Sequence, residues 1–531
     1  MEIFRMKQLD SRTAKQLALL FVLLLLGTYV PVLQHGFFVD DDVYVGAQNR
    51  VLFDLPASEL WRLLVERGNS WEFLPVRDFT YWLDMRLLGD FPDGFHASNL
   101  AWYLFATYAV YRFVAESLAL YLEHDSEQAA GWAALAALLF FAHPAHVEVV
   151  AWVSGRKDLV ATAFAALGGA YYLSGIRRGW SSAGMAAAAL CCLLALFSKS
   201  VAAFFVAPLA LIAVDARCWH KPPEAWRFWA YCLFPLIGAA LALFVHMQIG
   251  VQTGIGIENA PGLAAVLERA SRITSSLVGI LVFPHDLRLI YDVYELSDWH
   301  WAVFVLCLLF GIWAASSLCR GRRSLLALAL LVGLVPLLPY LQLSPYVTWS
   351  LASERFVFQA SLGIVLAWVL LLRSFGLNVA LSVVLVLTLA CVLQIVPRVV
   401  QWESASSLRR HEMSVNAGNH NAVREYVVGH LLPERKFDEA RAVAVRVHSS
   451  DAQNLLLRLI DAAEYHRRGK EDAGDSERRR SEYCSVALPL DVDLIRMRGS
   501  NVIPDISFIN FAGHLRAYLN KALSDVSVAC R

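Results

Sequence analysis

The chain has 531 residues, of which 57% are hydrophobic and only 17% are charged, and its 46 basic side chains equal its 46 acidic ones. A soluble domain carries about 25% charged residues, so this chain has too little charge to face water throughout. The balanced charge provides no basic field for nucleic acid, and the composition excludes disorder, collagen and a secreted disulfide scaffold. Repeated apolar runs of about 18 residues or more instead predict an all-α polytopic membrane protein.

The first apolar run, 16–33, follows the basic residues Arg5, Lys7, Arg12 and Lys15. It is longer than the apolar region of a signal peptide and lacks a small-residue cleavage site, so we expect a retained span with its basic end in the cytoplasm. Ten further apolar runs bring the predicted count to eleven spans: 99–122, 129–150, 158–175, 181–197, 201–214, 228–248, 300–318, 325–343, 356–373 and 377–397.

The stretch 266–284 is apolar but contains Arg269 and Arg272. Counting it as a span would put a later basic loop on the wrong side, so we expect it to be re-entrant or to lie in the membrane interface. The positive-inside rule then places the loop 35–98 and the C-terminal tail outside the cytoplasm.

The tail, 401–531, is predicted to form an extracytoplasmic helical domain after a transmembrane domain, 1–400. Helical periodicity over 402–446 resembles one degenerate tetratricopeptide-like unit. The two cysteines of the tail, Cys484 and Cys530, are compatible with a disulfide or with free thiols, since an outer compartment permits oxidation.

Three adjacent aspartates, Asp40, Asp41 and Asp42, stand at the exit of the first span. Aspartates suit a helix N-terminus, which is one interpretation. The other is a general base at the membrane surface, where a lipid-linked substrate presents its head group. The sequence leaves both open.

A second polar group, His143, His146 and Glu148, lies at the predicted outer end of the third span. These side chains could bind a metal, but their spacing is not an established helical zinc motif. Hydrogen bonding within a polar pocket is therefore favoured.

Cations recur at the same level: Arg156, Lys199, and Arg355 beside Glu354. Each alone could extend to lipid phosphates. Charges against the membrane are costly, however, and several of them facing an acidic cluster suit a phosphate leaving group beside a base.

Taken in order, these motifs resemble the transmembrane and tetratricopeptide-repeat O-mannosyltransferases, the TMTC group of the GT-C glycosyltransferases. The resemblance covers about residues 20–400 and rests on five stretches: Phe38-Val39-x-Asp41-Asp42, Gly94-Phe95-His96 with Asn99, His143-Pro144-x-His146-x-Glu148 continuing to Asp158, Ser198-Lys199, and Glu354-Arg355-Phe356.

The resemblance implies a GT-C-like bundle of about 11 transmembrane helices with a small, degenerate TPR-like helical tail. It also implies inverting transfer of a sugar from a polyprenyl-phosphate donor to a hydroxyl of an extracytoplasmic protein or lipid acceptor, without a cofactor; a divalent metal is not favoured. The roles carried over by position are Asp41 as general base, Asp42 as its neighbour, Lys199, Arg156 and Arg355 at the donor phosphate, and His143, His146, Glu148 and Glu354 in the sugar or acceptor pocket.

This chain departs from the family pattern at Leu74, where the family has arginine, at Ser200, where it has glutamate, and in its short repeat region. The alternative function is a transporter or flippase of a lipid-linked sugar, which is disfavoured because no internal repeat is evident and the charges gather at one face. A non-catalytic scaffold would leave both polar clusters unexplained. The composition favours a bacterial inner membrane, with the active site and tail in the periplasm.

Overall fold

The computed structural model is helical wherever it has regular secondary structure, which confirms the predicted all-α class. It describes residues 11–37, 41, 45, 54–66, 73–123, 126–252, 262–291, 299–343, 350–447, 453–454, 456–461 and 463–464. Asp42, Cys484 and Cys530 lie outside these residues.

Six helices are long and apolar enough to cross a membrane, judged by length and composition. They are Lys15–Gln34, Val153–Arg177, Ser200–Trp219, Ala225–Val245, His300–Cys319 and Leu377–Gln401. Four shorter apolar helices accompany them: Glu127–Phe141, Ser182–Ser198, Leu325–Leu341 and Ser361–Arg373. The chain is therefore an all-helical membrane protein, while the count of eleven spans stays a prediction.

Two helices of the loop 35–98 and its border begin with proline. Pro75–Leu88 lies within this loop, and Pro92–Leu122, 31 residues long, runs from it into the bundle. Proline suits the first helical turn because its missing N–H would have no intrahelical partner there.

The apolar run predicted as one span, 129–150, is broken in the structure. The helix Ser126–Phe141 ends before Pro144, and the short helix His146–Ala151 follows. Proline lacks an N–H and disfavours helical geometry at the residue before it, which explains the break. The chain then turns into the helix Arg156–Arg177.

This helix, Arg156–Arg177, is the most enclosed of the six candidate spans, since 83% of its apolar 18-residue stretch is buried inside the protein. It packs between Pro92–Leu122 and Ser182–Ser198. Small residues dominate its buried face, which lets the three backbones approach closely. One end of this helix therefore starts deep inside the protein, at Arg156.

Residues 266–282 of the stretch 266–284 belong to one continuous helix, Leu263–Val282. Arg269 is buried and donates to the backbone carbonyl of Gln342 at 2.8 Å, while Arg272 pairs with Glu268 at 2.7 Å. Both arginines thus have protein partners, and the position of this helix relative to the membrane stays a prediction.

The helical periodicity predicted over 402–446 is confirmed. The helices of this region are Ala405–Val415, His420–Tyr426 and Phe437–Ala444, with a π-helical turn at Val427–Leu431. They enclose a small separate apolar cluster that includes Val423, Leu431 and Leu456. The resemblance to a tetratricopeptide unit and the domain boundary at 400 stay predictions.

Candidate functional site

The site is organised by one stretch of chain, His143 to Asp158, which we call the central segment. It runs from the proline break through His146–Ala151 and the 3₁₀ turn Val153–Gly155 to the start of the next helix. Gly155 makes this fold possible, because a Cβ there would lie 2.3 Å from the Val149 carbonyl oxygen. Residues of all five predicted motifs contact this segment or belong to it.

Asp41 is completely buried against the central segment. Its Oδ1 accepts hydrogen bonds from the Ser154 backbone N–H at 2.9 Å and from the Ser154 hydroxyl at 2.8 Å. Hydrogen bonds to a charged acceptor are about twice as strong as neutral ones. The carboxylate is therefore held in a fixed position beside the start of the helix Arg156–Arg177.

Arg156 is also completely buried, and its guanidinium is engaged by protein groups. It donates to the Asp84 carboxylate at 2.8 Å, to the Phe95 carbonyl at 2.9 Å and to the Asn99 side-chain oxygen. A phosphate could reach this guanidinium only by exchanging with one of these partners. The structure therefore places Arg156 as a link between the central segment and the loop 35–98.

Lys199 pairs with Asp158, the last residue of the central segment, with 2.5 Å between Nζ and Oδ1. Its side chain is 14% exposed, against 0% for Arg156 and 8% for Arg355. Burial opposes its charge, but Asp158 and Tyr340 outweigh burial and raise the pKa of Lys199. Lys199 is thus the most accessible of the three predicted phosphate ligands, and it is charged.

Arg355 pairs with the buried Glu148, with 2.5 Å between Nη1 and Oε1, and its backbone N–H donates to the same carboxylate at 3.2 Å. Its guanidinium lies over the rings of Trp152 and Phe356, at 5.2 and 4.9 Å from their centroids. These contacts fix the cation against the central segment through charge and aromatic faces.

An aromatic pair connects the two more exposed cations. The rings of Tyr340 and Phe356 stack with centroids 4.1 Å apart. Lys199 Nζ lies 5.4 Å from the Tyr340 ring centroid, and Arg355 lies over Phe356. The structure therefore places Lys199 at one member of this stacked pair and Arg355 at the other.

Glu354 is buried, and it forms its ion pair with Arg398 instead of with its neighbour Arg355. Both carboxylate oxygens accept from Arg398, at 2.5 and 3.3 Å, and Tyr291 donates to Oε1 at 3.3 Å. Burial raises the pKa of Glu354, while Arg398 opposes the rise and Glu148 adds to it. The neighbouring residues Glu354 and Arg355 therefore belong to two different ion pairs, and each pair joins distant parts of the chain.

The predicted pocket histidines stack on each other, with ring centroids 4.9 Å apart. His143 Nε2–H donates to the Leu281 carbonyl at 3.0 Å, and its Nδ1 has no hydrogen-bond partner among the described residues. The ring nitrogens of His146 lie 3.1 Å from Tyr103 Oη and 3.2 Å from Ser361 Oγ. In the part of the chain that the structure describes, no three His, Cys, Asp or Glu side chains gather as metal ligands would.

A second histidine pair, His35 and His96, is buried on the loop side of the site, with ring centroids 5.9 Å apart. Burial lowers the pKa of each histidine to about 4. Both are therefore neutral near pH 7.

Sequence reasoning assigned no role to Asp84, Ser154, Tyr291, Tyr340 or Arg398. Arg398 had a usable signal, since it is a cation at the end of an apolar run, where charge is costly. The others are common residue types whose partners are distant in sequence. Only the packing of the helices identifies them.

The fold and the site together define an all-helical membrane protein whose buried charges converge on one segment. An alignment of 136 positions, which covers 24% of this chain and 19% of the relative, shows 31% identity to a protein O-mannosyl-transferase of Caenorhabditis elegans. An alignment of 183 positions, which covers 31% of this chain and 18% of the relative, shows 34% identity to the protein O-mannosyl-transferase Tmtc2 of Drosophila melanogaster.

These matches confirm the predicted resemblance to the TMTC-like group. The chain spans about a fifth of the length of the two curated relatives. No family model matches the chain, and no solved structure gives a significant match.

Proposed function

We propose that this protein is an integral-membrane, inverting glycosyltransferase of the GT-C type. It would move a sugar from a polyprenyl-phosphate donor to a hydroxyl of an extracytoplasmic protein or lipid. The observation that carries the proposal is the convergence on the central segment: Asp41 binds Ser154, Lys199 binds Asp158, and Arg355 binds Glu148. The similarity to two proteins named O-mannosyl-transferases supports a glycosyltransferase.

In the proposed reaction, Asp41 accepts the proton of the acceptor hydroxyl as its oxygen attacks the anomeric carbon. The bond between that carbon and the phosphate oxygen breaks, and its electron pair leaves with the phosphate. Lys199 and Arg355 offset the charge that develops on this leaving group. One attack from the opposite face inverts the anomeric centre, and no second carboxylate nucleophile is needed.

The remaining predicted residues would bind and position the substrates. The unpartnered Nδ1 of His143 is a hydrogen-bond acceptor for a sugar hydroxyl. The buried His146, Glu148 and Glu354 would line the sugar or acceptor pocket, and Asp42, as the neighbour of Asp41, would help position the acceptor. In the arrangement described here, Arg156 would support the site rather than bind phosphate directly.

Metal-independent transfer is part of the proposal, since protein cations can stabilise the leaving phosphate. We further propose that the site faces away from the cytoplasm. A bacterial inner membrane remains a compositional prediction, and the two matched relatives are animal proteins.

The test uses the full chain in nanodiscs with a panel of polyprenyl-phosphate sugars and candidate hydroxyl acceptors. Release of polyprenyl phosphate is followed with and without EDTA, for the wild type, Asp41→Asn and the exposed control Asp93→Asn. Release from one donor that survives EDTA, persists in Asp93→Asn and is lost in Asp41→Asn supports the proposal. Movement of intact donor across the bilayer without release would favour a flippase instead.

Donor affinity provides a second test of the proposed function. Lys199→Ala is expected to weaken donor binding by about tenfold or more, since a charge-assisted contact contributes about 1.5–3 kcal/mol. Lys221→Ala, an exposed lysine outside the site, is the matched control. Unchanged donor affinity in Lys199→Ala would contradict the assigned phosphate site.

A further inference from the structure

A short irregular segment, 287–291, connects the tail to the site. It follows the helix Leu263–Val282 and ends at Tyr291, whose hydroxyl donates to Glu354 at 3.3 Å. The Tyr291 hydroxyl in turn accepts from the Arg288 backbone N–H at 3.2 Å, so its position depends on the conformation of this segment.

The helix Ala405–Val415, which we call the tail helix, binds this segment mainly through Glu412. Glu412 is 2% exposed, and its carboxylate accepts the backbone N–H groups of Leu289 and Ile290, the latter at 3.3 Å. A buried carboxylate is costly unless it is well hydrogen-bonded, so these contacts fix the position of the helix on the segment.

Two further residues of the tail, Asn416 and His411, also bind the segment 287–291. Asn416, directly after the tail helix, donates to the Ile290 carbonyl and accepts from the Arg288 guanidinium, each at 2.7 Å. His411 Nε2–H donates to the Leu287 carbonyl at 3.0 Å. The backbone of an irregular segment, which has no helix or sheet to satisfy it, is thus satisfied by tail side chains.

We infer that the tail helix positions Glu354 through the segment 287–291, with Glu412 and Tyr291 as positioning residues. The inference rests on the proposed function, in which Glu354 belongs to the sugar or acceptor pocket. Arg398 and Tyr291 both donate to Oε1 of Glu354. Loosening the tail helix therefore changes sugar and acceptor placement and leaves the phosphate contacts of Lys199 and Arg355 intact.

The test compares Tyr291→Phe, Glu412→Gln and the double variant in the full chain. The matched control is Tyr172→Phe, which also removes a buried hydroxyl, one that donates to the Tyr231 carbonyl away from the site. Each single variant is expected to lower kcat/KM for the acceptor about threefold to tenfold, the range of one lost hydrogen bond, with donor affinity changed less than twofold. Because both residues act through one route, the double variant should lose no more than the worse single one.

Backbone hydrogen exchange supplies a readout that is independent of turnover. Glu412→Gln should accelerate exchange in 287–291 and in 353–358, Tyr291→Phe should accelerate it in 353–358, and Tyr172→Phe in neither. Faster exchange in 287–291 with wild-type exchange in 353–358 and wild-type turnover would overturn the inference. If the wild type releases no polyprenyl phosphate from any donor, the proposed function fails, and the exchange in 353–358 alone decides whether the tail is coupled to Glu354.

Discussion

One helix carries an arginine at each end, and the two arginines differ in burial. Arg156 and Arg177 are separated by about 32 Å of helix. Arg156 is completely buried and binds Asp84, whereas Arg177 is 38% exposed at its side chain and binds Glu116 at 2.9 Å. Both members of the pair are thus enclosed at the Arg156 end, whereas at the other end Glu116 is buried and its partner Arg177 reaches solvent.

Ion pairs occur throughout the molecule, so their burial, and not their presence, distinguishes the candidate site from the rest of it. Desolvating both partners costs several kcal/mol per ion, so buried pairs are weak evidence for stability and stronger evidence for a required geometry. Exposed pairs carry no such cost and need no such explanation.

The largest expected effect is at the two arginines themselves. Arg156→Gln leaves the Asp84 carboxylate buried without its cation and should lower the free energy of unfolding by about 3–5 kcal/mol. Arg177→Gln should cost less, about 1 kcal/mol, because Arg177 is partly exposed and the buried Glu116 keeps Arg112 as a second cation 3.9 Å away. Thermal unfolding in nanodiscs measures both, and equal losses would remove the contrast between the two ends.

The pH dependence of stability is expected to come from the buried histidines. Burial lowers the pKa of His35 and of His96 to about 4, below the value of about 6.5 in the unfolded chain. The unfolded state then binds more protons below pH 6.5, so their contribution to stability is complete above that pH and is lost as the pH falls towards about 4.

The loss should be about 3 kcal/mol for each histidine over that window. Unfolding measured from pH 7 to pH 4 should show this loss in the wild type and less of it in the double variant His35→Asn with His96→Asn. His285→Asn, at an exposed histidine, is the control and should keep the wild-type dependence. A double variant with an unchanged pH dependence would show that other groups cause it.

The next effect concerns the position of Asp41. Ser154→Ala removes the hydroxyl that donates to this carboxylate and leaves the backbone N–H in place. We expect kcat for sugar transfer to fall about tenfold, because a donor that holds the base is lost. Ser374→Ala, which removes an exposed hydroxyl bonded to the Leu371 carbonyl, should leave kcat unchanged.

The smallest effect is expected at a solvent-exposed pair. Arg323 lies 2.6 Å from Glu123, but their side chains are 30% and 75% exposed. Glu123→Gln should change the free energy of unfolding by less than about 0.5 kcal/mol. A loss similar to that of Arg156→Gln would mean that burial does not govern the strength of these pairs.

The sequence allowed the helical class, the membrane character and the order of the polar motifs to be predicted. Apolar run length and helical periodicity are local properties, so they could be read directly. The break at Pro144 was also visible in principle, but the long apolar run around it favoured one continuous span, 129–150.

Pairings could not be predicted in the same way. Arg156 was assigned to the donor phosphate because a cation at the membrane surface suits that role. Its partner Asp84 lies 72 residues away in the chain on another helix, and nothing local to either residue identifies the pair. The contact of Tyr291 with Glu354 could not be predicted either, because it depends on how the tail helix holds the segment 287–291.

Gly155 offers a criterion for reading more distant sequences. A side chain at this point would collide with the Val149 carbonyl, so the turn between the short helix His146–Ala151 and the helix Arg156–Arg177 could not close. A chain that shares the surrounding letters but has alanine here would have to bend its backbone differently and would lose the alignment of Ser154 with Asp41. Glycine at this position therefore distinguishes chains that can adopt this geometry from chains that are similar in sequence alone.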